Sequence, residues 1–407
     1  MKYNCKKIAY IVGTFPCRSE TFILREIKYL SDLNFDISVL AAEKHKENNQ
    51  SDGIKTFYKT SIFSYQVLLS ILYCFIKYPL AFPKLFILTI RLIGVCPREA
   101  FSLLSNLHTI ALFIRYLDKK EISNIHAHFL SWPSIIGLSI SIVTRKQFSI
   151  SAHARDIFVE HGAIALKISH ARFITTCTQD GLSYLKSKIA EKYHRKLYLN
   201  YHMIKFDEVS FGTKNIYPHD FENIIISVGR LVPKKGFEFL IKAFASISNQ
   251  IQNCELVIVG EGPEREKYEN LIKHYSLEQN VRLTGWQKNE ETLKLINNAT
   301  VLVVPSIIAK DGDRDGIPNV ILEAFSCGTP VIASNLNSIS EIIEHKKNGL
   351  IAEQGNITEL ASVVKELLTN NNLQKQLAQA AYNTLLECFD PIKNSMKLAK
   401  LFQGTNQ

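Results

Sequence analysis

Asp315 and Glu323 stand eight residues apart in Asp315-Gly316-Ile317-Pro318-Asn319-Val320-Ile321-Leu322-Glu323-Ala324. The first lies in a glycine-containing loop, the second inside an apolar run that reads as a helix. Pro318 suits the first helical position, whose N–H has no intrahelical partner. A helix start offers free N–H groups and a positive dipole end, a natural seat for phosphate. Gly316, Ile317, Asn319 and Val320 would form that seat. Glu323, about a turn and a half further on, is placed to accept two hydrogen bonds from a ribose diol. Asp315 sits beyond the phosphate, where a sugar would be. One short segment could therefore hold both ends of a nucleotide sugar.

Two cations add to this chemistry. Arg230 and Lys235 follow the buried run Ile224–Val228 at a five-residue spacing. Cleaving a sugar–diphosphate bond leaves negative charge on the departing phosphate, and two fixed cations stabilise it as it develops. Lys234 reads as their solvated neighbour. Gly260-Glu261-Gly262 follows another apolar run, which places Glu261 near a nucleotide base. Gly13 follows the first apolar run, where a missing side chain lets backbone approach a ligand phosphate.

Other residues carry two readings each. His153, in Ser149-Ile150-Ser151-Ala152-His153-Ala154-Arg155-Asp156, could hydrogen-bond a sugar hydroxyl or be a buried structural histidine. Asp156 reads as a cap of the next helix. Ser19 and Glu20 either face an acceptor or, for Ser19, cap a helix. His126 and His128 alternate on one strand and mimic a metal pair, but no third ligand is evident, so core or acceptor-cleft roles are expected. Asp311-Gly312-Asp313-Arg314-Asp315-Gly316 resembles an EF-hand start, yet its glutamate falls one position late and Pro318 interrupts the loop. A helix-entry loop without metal is expected there.

The elements that must position these groups alternate along the chain. Ile8 to Val12, Phe35 to Leu40, Asn124 to Ala127, Phe148 to Ser151, Arg172 to Thr176 and Lys196 to Asn200 read as strands, with Thr21 to Leu30 and further helices between them. Residues 43–60 read as polar loop. The plan repeats from Ile224, after a polar linker at about Asp207 to Phe221. Such alternation implies parallel, doubly wound sheets.

The runs Ile224–Gly236, Leu256–Pro263, Val281–Trp286, Val301–Ser306, Asp315–Ala324 and Gly328–Ser334, in this order, resemble the nucleotide-binding half of family-4 retaining glycosyltransferases. Phe15-Pro16, Ser19-Glu20-Thr21-Phe22-Ile23 and Arg25-Glu26-Ile27 are similar to the exopolysaccharide and lipopolysaccharide branch of that family. The resemblance covers most of the chain and is weakest in residues 41–120. It implies an α/β fold of the GT-B type, two facing Rossmann-like doubly wound domains with the active site in the cleft between them. Residues 1–210 would bind the acceptor and 211–388 the donor, with a helix in 389–407 crossing back to the N-terminal domain. Arg230 and Lys235 would be the diphosphate clamp, and His153 would lie near the donor sugar. His128, with Ser19 and Glu20, would serve the acceptor side. The family more often has glutamate where Asp315 stands, and the shorter side chain has less reach to the sugar.

The function so implied is retaining transfer of a sugar from a UDP- or GDP-sugar to a glycan or lipid-linked oligosaccharide, in bacterial cell-surface polysaccharide synthesis. The nucleotide sugar is a co-substrate; no metal or other cofactor is expected. No enzyme carboxylate is evidently placed as a covalent nucleophile, so same-face attack fits best, the leaving phosphate taking the acceptor proton. The alternatives are a hydrolysing nucleotide-sugar epimerase on the same fold and an inactive scaffold subunit of a polysaccharide assembly complex.

Charge points to a partner surface. The chain of 407 residues carries a formal charge of +10. Residues 1–210 hold 28 basic and 16 acidic side chains, and residues 211–407 hold 20 and 22. The N-terminal half is therefore the one to meet an anionic partner, such as the inner-membrane surface or a polyprenyl-diphosphate-linked acceptor. No nucleic-acid motif is present. Dispersed cysteines suggest free thiols in a reducing cytoplasm. Residues 65–95 read as two apolar helices edged by Lys77, Lys84 and Arg91, either core helices or a membrane-facing surface. The enzyme is expected in the cytoplasm, peripheral on the inner membrane.

Overall fold

A computed structural model describes residues 6–17, 20–44, 53–159, 162–203, 222–251 and 253–404. The chain forms two compact units, Met1–Met203 with Pro391–Gln407, and Ile204–Asp390. The linker expected at Asp207 to Phe221 lies outside the described residues.

Among the described residues the N-terminal unit contains seven strands: β1 (Lys6–Thr14), β2 (Phe35–Glu43), β3 (Lys55–Tyr58), β4 (Asn124–His128), β5 (Gln147–Ala152), β6 (Ile174–Thr176) and β7 (Leu197–Leu199). They form one parallel sheet in the order β3-β2-β1-β4-β5-β6-β7. Chain direction reverses its walk across the sheet at β1 and β4, the place where doubly wound folds bind ligands. β3 falls inside residues 43–60, which the sequence reads as loop. It is a four-residue edge strand with only partial burial, so it lacks the apolar run that marks the interior strands.

Helices α1 (Thr21–Asp32), α2 (Tyr65–Lys77), α3 (Ala81–Val95), α4 (Pro97–Ser105), α5 (Leu107–Lys119), α6 (Trp132–Thr144), α7 (Ala154–Phe158), α8 (Ile164–His170) and α9 (Gln179–Lys188) fill the connections. Burial of both sheet faces is visible in β1. Ile8, Tyr10 and Val12 enter one core with Ile23, Ile27 and Leu30 of α1. Ala9 and Ile11 enter the other, with Phe113 of α5 and Ile136 of α6. This is the strict two-residue alternation of a strand covered on both sides.

The C-terminal unit has a six-stranded parallel sheet ordered β10-β9-β8-β11-β12-β13. Its strands are β8 (Asn223–Val228), β9 (Cys254–Val259), β10 (Val281–Gly285), β11 (Val301–Val304), β12 (Val331–Ser334) and β13 (Leu350–Ala352). Its helices are α10 (Phe237–Ile247), α11 (Arg265–His274), α12 (Asn289–Asn298), α13 (Asn319–Cys327), α14 (Asn337–Ser340), α15 (Ile357–Leu368) and α16 (Asn371–Cys388). The last helix, α17 (Pro391–Gln403), belongs to the N-terminal unit. It places Leu398 and Phe402 in the same core as Tyr10. The boundaries thus fall at 203/204 and 390/391, a few residues from those read in the sequence.

Candidate active site

Three glycines explain how the cationic loop of the C-terminal unit is folded. After β8, Lys234 and Lys235 lie in a short 3-10 turn that ends at Gly236, φ +65°. A Cβ on Gly236 would stand 1.9 Å from the carbonyl oxygen of Pro305, so only glycine fits. Gly260 and Gly262 likewise admit no Cβ, because the loop Gly229–Leu231 runs against them. Leu231 N–H donates to the Glu261 carbonyl at 2.9 Å and Glu264 N–H to the Leu231 carbonyl at 3.1 Å. The Gly260-Glu261-Gly262 signal is therefore accounted for by two loops packed backbone to backbone. Glu261 itself is exposed and paired with Arg265 at 2.8 Å.

The two clamp candidates differ. Arg230 is exposed, and no carboxylate pairs with it among the described residues. Lys235 is committed: its Nζ donates to Asp315 Oδ2 at 2.8 Å. Ser306 Oγ donates to the same oxygen at 2.7 Å, and Lys234 Nζ lies 3.6 Å from Oδ1. Burial alone would raise the Asp315 carboxyl; Lys235 and Lys234 with the Ser306 hydroxyl outweigh it and hold the group below its usual range. Lys234 is not the solvated neighbour expected, since it also pairs with Asp313 at 3.0 Å and is largely shielded. An aspartate 79 residues further along the chain claims it, which no local spacing reveals.

The helix that carries Glu323 starts one residue later than expected. Pro318 is the N-cap, in extended conformation, and Asn319 is the first residue of α13. Proline's missing N–H costs nothing there either. Gly316, Ile317, Asn319 and Val320 thus surround the helix start, with Ser338 Oγ donating to the Asp315 carbonyl at 2.9 Å to hold the turn. Glu323 is buried and accepts from Asn289 Nδ2 at 3.4 Å. The C-terminal unit therefore gathers Lys235, Asp315 and the α13 start on the carboxyl side of its strands.

The N-terminal unit builds a second cluster from strand register. Tyr10 pairs with His126 across β1 and β4, and His126 with Ser149 across β4 and β5. The His126 ring bonds the hydroxyls of Ser149 and Ser151, each at 2.9 Å. Burial, then the His128 ring, pushes its imidazole down to about 3. Two residues on, His128 Nδ1 lies 3.4 Å from His153 Nε2, and His128 Nε2 lies 3.2 Å from Glu26 Oε1. Tyr10 OH donates to Glu26 Oε1 at 2.6 Å. Burial opposes ionisation of Glu26, but His128, His126 and the Tyr10 hydroxyl prevail and hold its carboxyl down to about 2. Glu26 offers the third ligand atom beside the two histidines, one that the sequence did not reveal because it arrives from α1. Both His126 nitrogens, however, are already bonded to hydroxyls.

His153 caps α7 at the end of β5. Burial first, then the neighbouring His128, His202 and His126 rings, keep its imidazole well below the usual value. The ring is therefore neutral near neutral pH and able to donate from one nitrogen and accept at the other. Asp156 is not the cap itself: it lies at the third position of α7 and accepts from the N–H of the cap residue His153 at 2.8 Å and from Leu130 N–H, the returning half of a capping box. Burial pushes its carboxyl up to about 7 against those backbone donors. Glu20, not Ser19, is the N-cap of α1; Ser19 lies outside the described residues. Burial raises the Glu20 carboxyl, with His128 pulling the other way. Gly13 lies within β1 rather than after it, and the space a side chain there would take is open.

Doubly wound sheets in two units, with ligand-competent residues at their carboxyl ends, define a GT-B fold, and solved structures agree. A structure of Anabaena Alr3699/HepE in complex with UDP and glucose matches with a TM-score of 0.74 at 17% identity, covering 98% of this chain and 100% of that one. Residues 214–384, nearly all of the C-terminal unit, match the family model Glycosyl transferases group 1. The amylovoran biosynthesis glycosyltransferase AmsK of Erwinia amylovora is 35% identical over 143 residues, 35% of each chain. The putative colanic acid biosynthesis glycosyltransferase WcaL of Salmonella typhimurium is 29% identical over 181 residues, 44% of each. The chain thus aligns with between a third and a half of these two relatives' lengths. Both relatives are named as biosynthesis glycosyltransferases, one for amylovoran and one, putatively, for colanic acid.

Proposed function

We propose that the protein transfers a sugar, with retention, from a nucleotide diphosphate sugar to a glycan or lipid-linked oligosaccharide during synthesis of a cell-surface polysaccharide. The observation that carries this reading is the cluster at the start of α13, where Lys235, Asp315 and Ser306 meet beside a phosphate-competent helix start and Glu323 follows on the helix. Glu323 binds the ribose diol. The N–H groups around Gly316, Ile317, Asn319 and Val320 seat phosphate, and Glu261 stands nearer the base. Arg230 and Lys235 stabilise the departing diphosphate. Lys235 must then share itself between Asp315 and phosphate, so Asp315 positions the ammonium as well as facing the sugar. His153, a neutral imidazole, is assigned to a sugar hydroxyl, and Gly13, Glu20 and His128 to the acceptor side. The acceptor attacks the face the diphosphate leaves. Its proton passes to the leaving phosphate oxygen, and the cations serve where other transferases use a metal.

The relatives' names, amylovoran and colanic acid biosynthesis, support a polysaccharide acceptor, and the UDP bound by the structural neighbour supports a nucleotide donor. We place the enzyme in the cytoplasm, peripheral on the inner membrane where a lipid-linked acceptor would be presented. The test is a panel of UDP- and GDP-sugars with nucleotide release monitored, with and without membrane lipid extract. Release from one donor that needs the extract is the expected result. Release without any acceptor would point to a hydrolysing epimerase, and no release from any donor to a scaffold.

A further inference from the structure

The N-terminal unit has one layer more than a doubly wound fold needs. Helices α5 and α6 already cover one face of the sheet. Nine of the thirteen residues of α6 are buried and none is exposed, as befits a helix apolar on most sides. It is buried because α3 and α4 pack over it while α2 packs over α5. Each outer helix buries only a narrow stripe: Val67, Ser70 and Cys74 on α2, Leu88, Thr89 and Leu92 on α3. An outermost layer of a water-facing protein should end in polar side chains. Here it does not. Phe75 is 63% exposed, Phe86 57% and Phe101 74%. Among the described residues, the large exposed hydrophobic side chains lie between Ile62 and Leu107, apart from Tyr275, Trp286, Ile308, Leu386 and Ile392. So concentrated an apolar surface marks a binding face.

The layer is nonetheless built firmly. Asp118 of α5 accepts from Tyr73 at 2.9 Å and Tyr78 at 2.8 Å and pairs with Lys77 at 3.1 Å and Lys146 at 3.0 Å. Glu99 of α4 pairs with the buried Lys167 of α8, which also donates to the Leu130 carbonyl. These clamps fix α2 and α4 from within and leave the outward face to something else.

We propose that the outward face of α2, α3 and α4 docks on a lipid surface carrying anionic headgroups. Charge selects this occupant. Between Asp52 and Glu99 the sequence has no acidic residue but has Lys55, Lys59, Lys77, Lys84, Arg91 and Arg98. Arg91 and Arg98 are exposed beside the apolar face. A second copy applied to this face by two-fold symmetry would bring those cations against one another, whereas anionic lipid complements them. No single helix here is long and apolar enough to cross a membrane. The two bent halves, α2 and α3, meet at 99°, and amphipathic helices of this kind lie in the interface with their apolar face buried about 5–10 Å deep. The proposal deepens the peripheral location suggested above and rests on that reading for its purpose, bringing the enzyme to a lipid-linked acceptor. The docking needs no substrate.

The structure also revises which cations can do this. Lys77 is spent on Asp118, and Lys84 Nζ donates to the Val143 carbonyl at 3.3 Å, at the end of α6. Arg91 and Arg98 are the ones to test. The experiment is flotation of the full chain with phosphatidylglycerol–phosphatidylcholine vesicles and with pure phosphatidylcholine vesicles, without donor or acceptor. The parent should float with the mixed vesicles. A variant carrying Leu72→Ser, Phe75→Ser, Phe86→Ser and Ile90→Ser, all at exposed positions, should stay in solution with an unchanged melting curve. Arg91→Glu with Arg98→Glu should weaken binding to the mixed vesicles roughly tenfold or more and leave any binding to phosphatidylcholine alone unchanged. A parent that stays in solution at low salt overturns the proposal, as does a quadruple variant that floats like the parent. A parent dimer that the four serines dissociate, without vesicle binding, would make a second copy the occupant. Failure of the donor screen would leave these flotation results untouched, so the two readings fail separately.

Discussion

The two units bury charge for opposite ends. In the C-terminal unit Asp315 is shielded beside two lysines and a serine hydroxyl at a loop edge, and Arg230, five residues before Lys235, is exposed. A phosphate seated at the α13 start would compete with Asp315 for Lys235. In the N-terminal unit Glu99 and Lys167 are locked together beneath an outer helix layer, and Asp118 is gripped from four sides. Nothing there is available for exchange. A buried ion pair is therefore not by itself the mark of a site. What separates the two cases is whether the surrounding backbone ends at a helix start that can take a ligand.

The largest effect should come from breaking an anchor. Lys167→Ala leaves Glu99 buried and uncompensated, which typically costs about 3–5 kcal/mol. The urea midpoint of the N-terminal unit, followed by a probe on that unit, should fall accordingly. Replacing both residues together, Lys167→Met with Glu99→Leu, should recover most of the loss. If the double variant is no better than the single one, the pair does more than hold the layer down.

In the C-terminal unit the loss should appear in ligand binding instead. If Glu323 holds the ribose diol as proposed, Glu323→Ala should weaken nucleotide-sugar binding by about 2–4 kcal/mol, with the melting curve little changed. Calorimetry that gives parent-like affinity would remove Glu323 from the donor site. Arg230→Ala and Lys235→Ala should each lower turnover about 10²–10³-fold, more than they weaken donor binding. They should differ in one respect. Among the described residues Arg230 has no carboxylate to strand, whereas losing Lys235 lets the Asp315 carboxyl rise. Asp315 is held below its unfolded value, so the stability it supplies is present at neutral pH and lost as pH falls. Lys235→Ala alone should therefore move acid unfolding of the C-terminal unit to higher pH. Turnover should persist in EDTA; loss restored by manganese or magnesium would shift the chemistry to Asp311, Asp313 and Asp315.

The same contrast explains what could be read from the chain. The donor-side elements are local in sequence: Lys235 and Gly236 follow one strand, and Asp315 to Glu323 enter one helix. Strand, turn and cap chemistry is written within a dozen residues at each place. Lys234 was misread because its partner Asp313 comes from a distant loop. Glu26 was missed as a neighbour of His126 and His128 because three elements must meet before it has any. The outer helices are ambiguous for a different reason. An apolar helix face reads identically whether protein or lipid covers it, and only the observed packing shows which side is left over.

The smallest expected effect tests whether the Tyr10–Glu26–His128 cluster belongs with the anchors. Glu26 is held down to about 2 from an ordinary value of 4.5, so between those values the unfolded chain binds a proton the folded one refuses. By linkage its stabilisation is complete above about pH 4.5 and fades as pH falls toward 2. Glu26→Gln keeps an acceptor for Tyr10 but no longer titrates. It should cost about 1–2 kcal/mol at neutral pH, and the gap to the parent should close on acidification. Because His153 touches this cluster through His128 at 3.4 Å, the pH dependence of turnover adds a second readout. A purely anchoring role for Glu26 predicts an altered unfolding curve with an unaltered pH–rate profile. A shifted profile would instead join the cluster to the chemistry and erase the distinction between the two units.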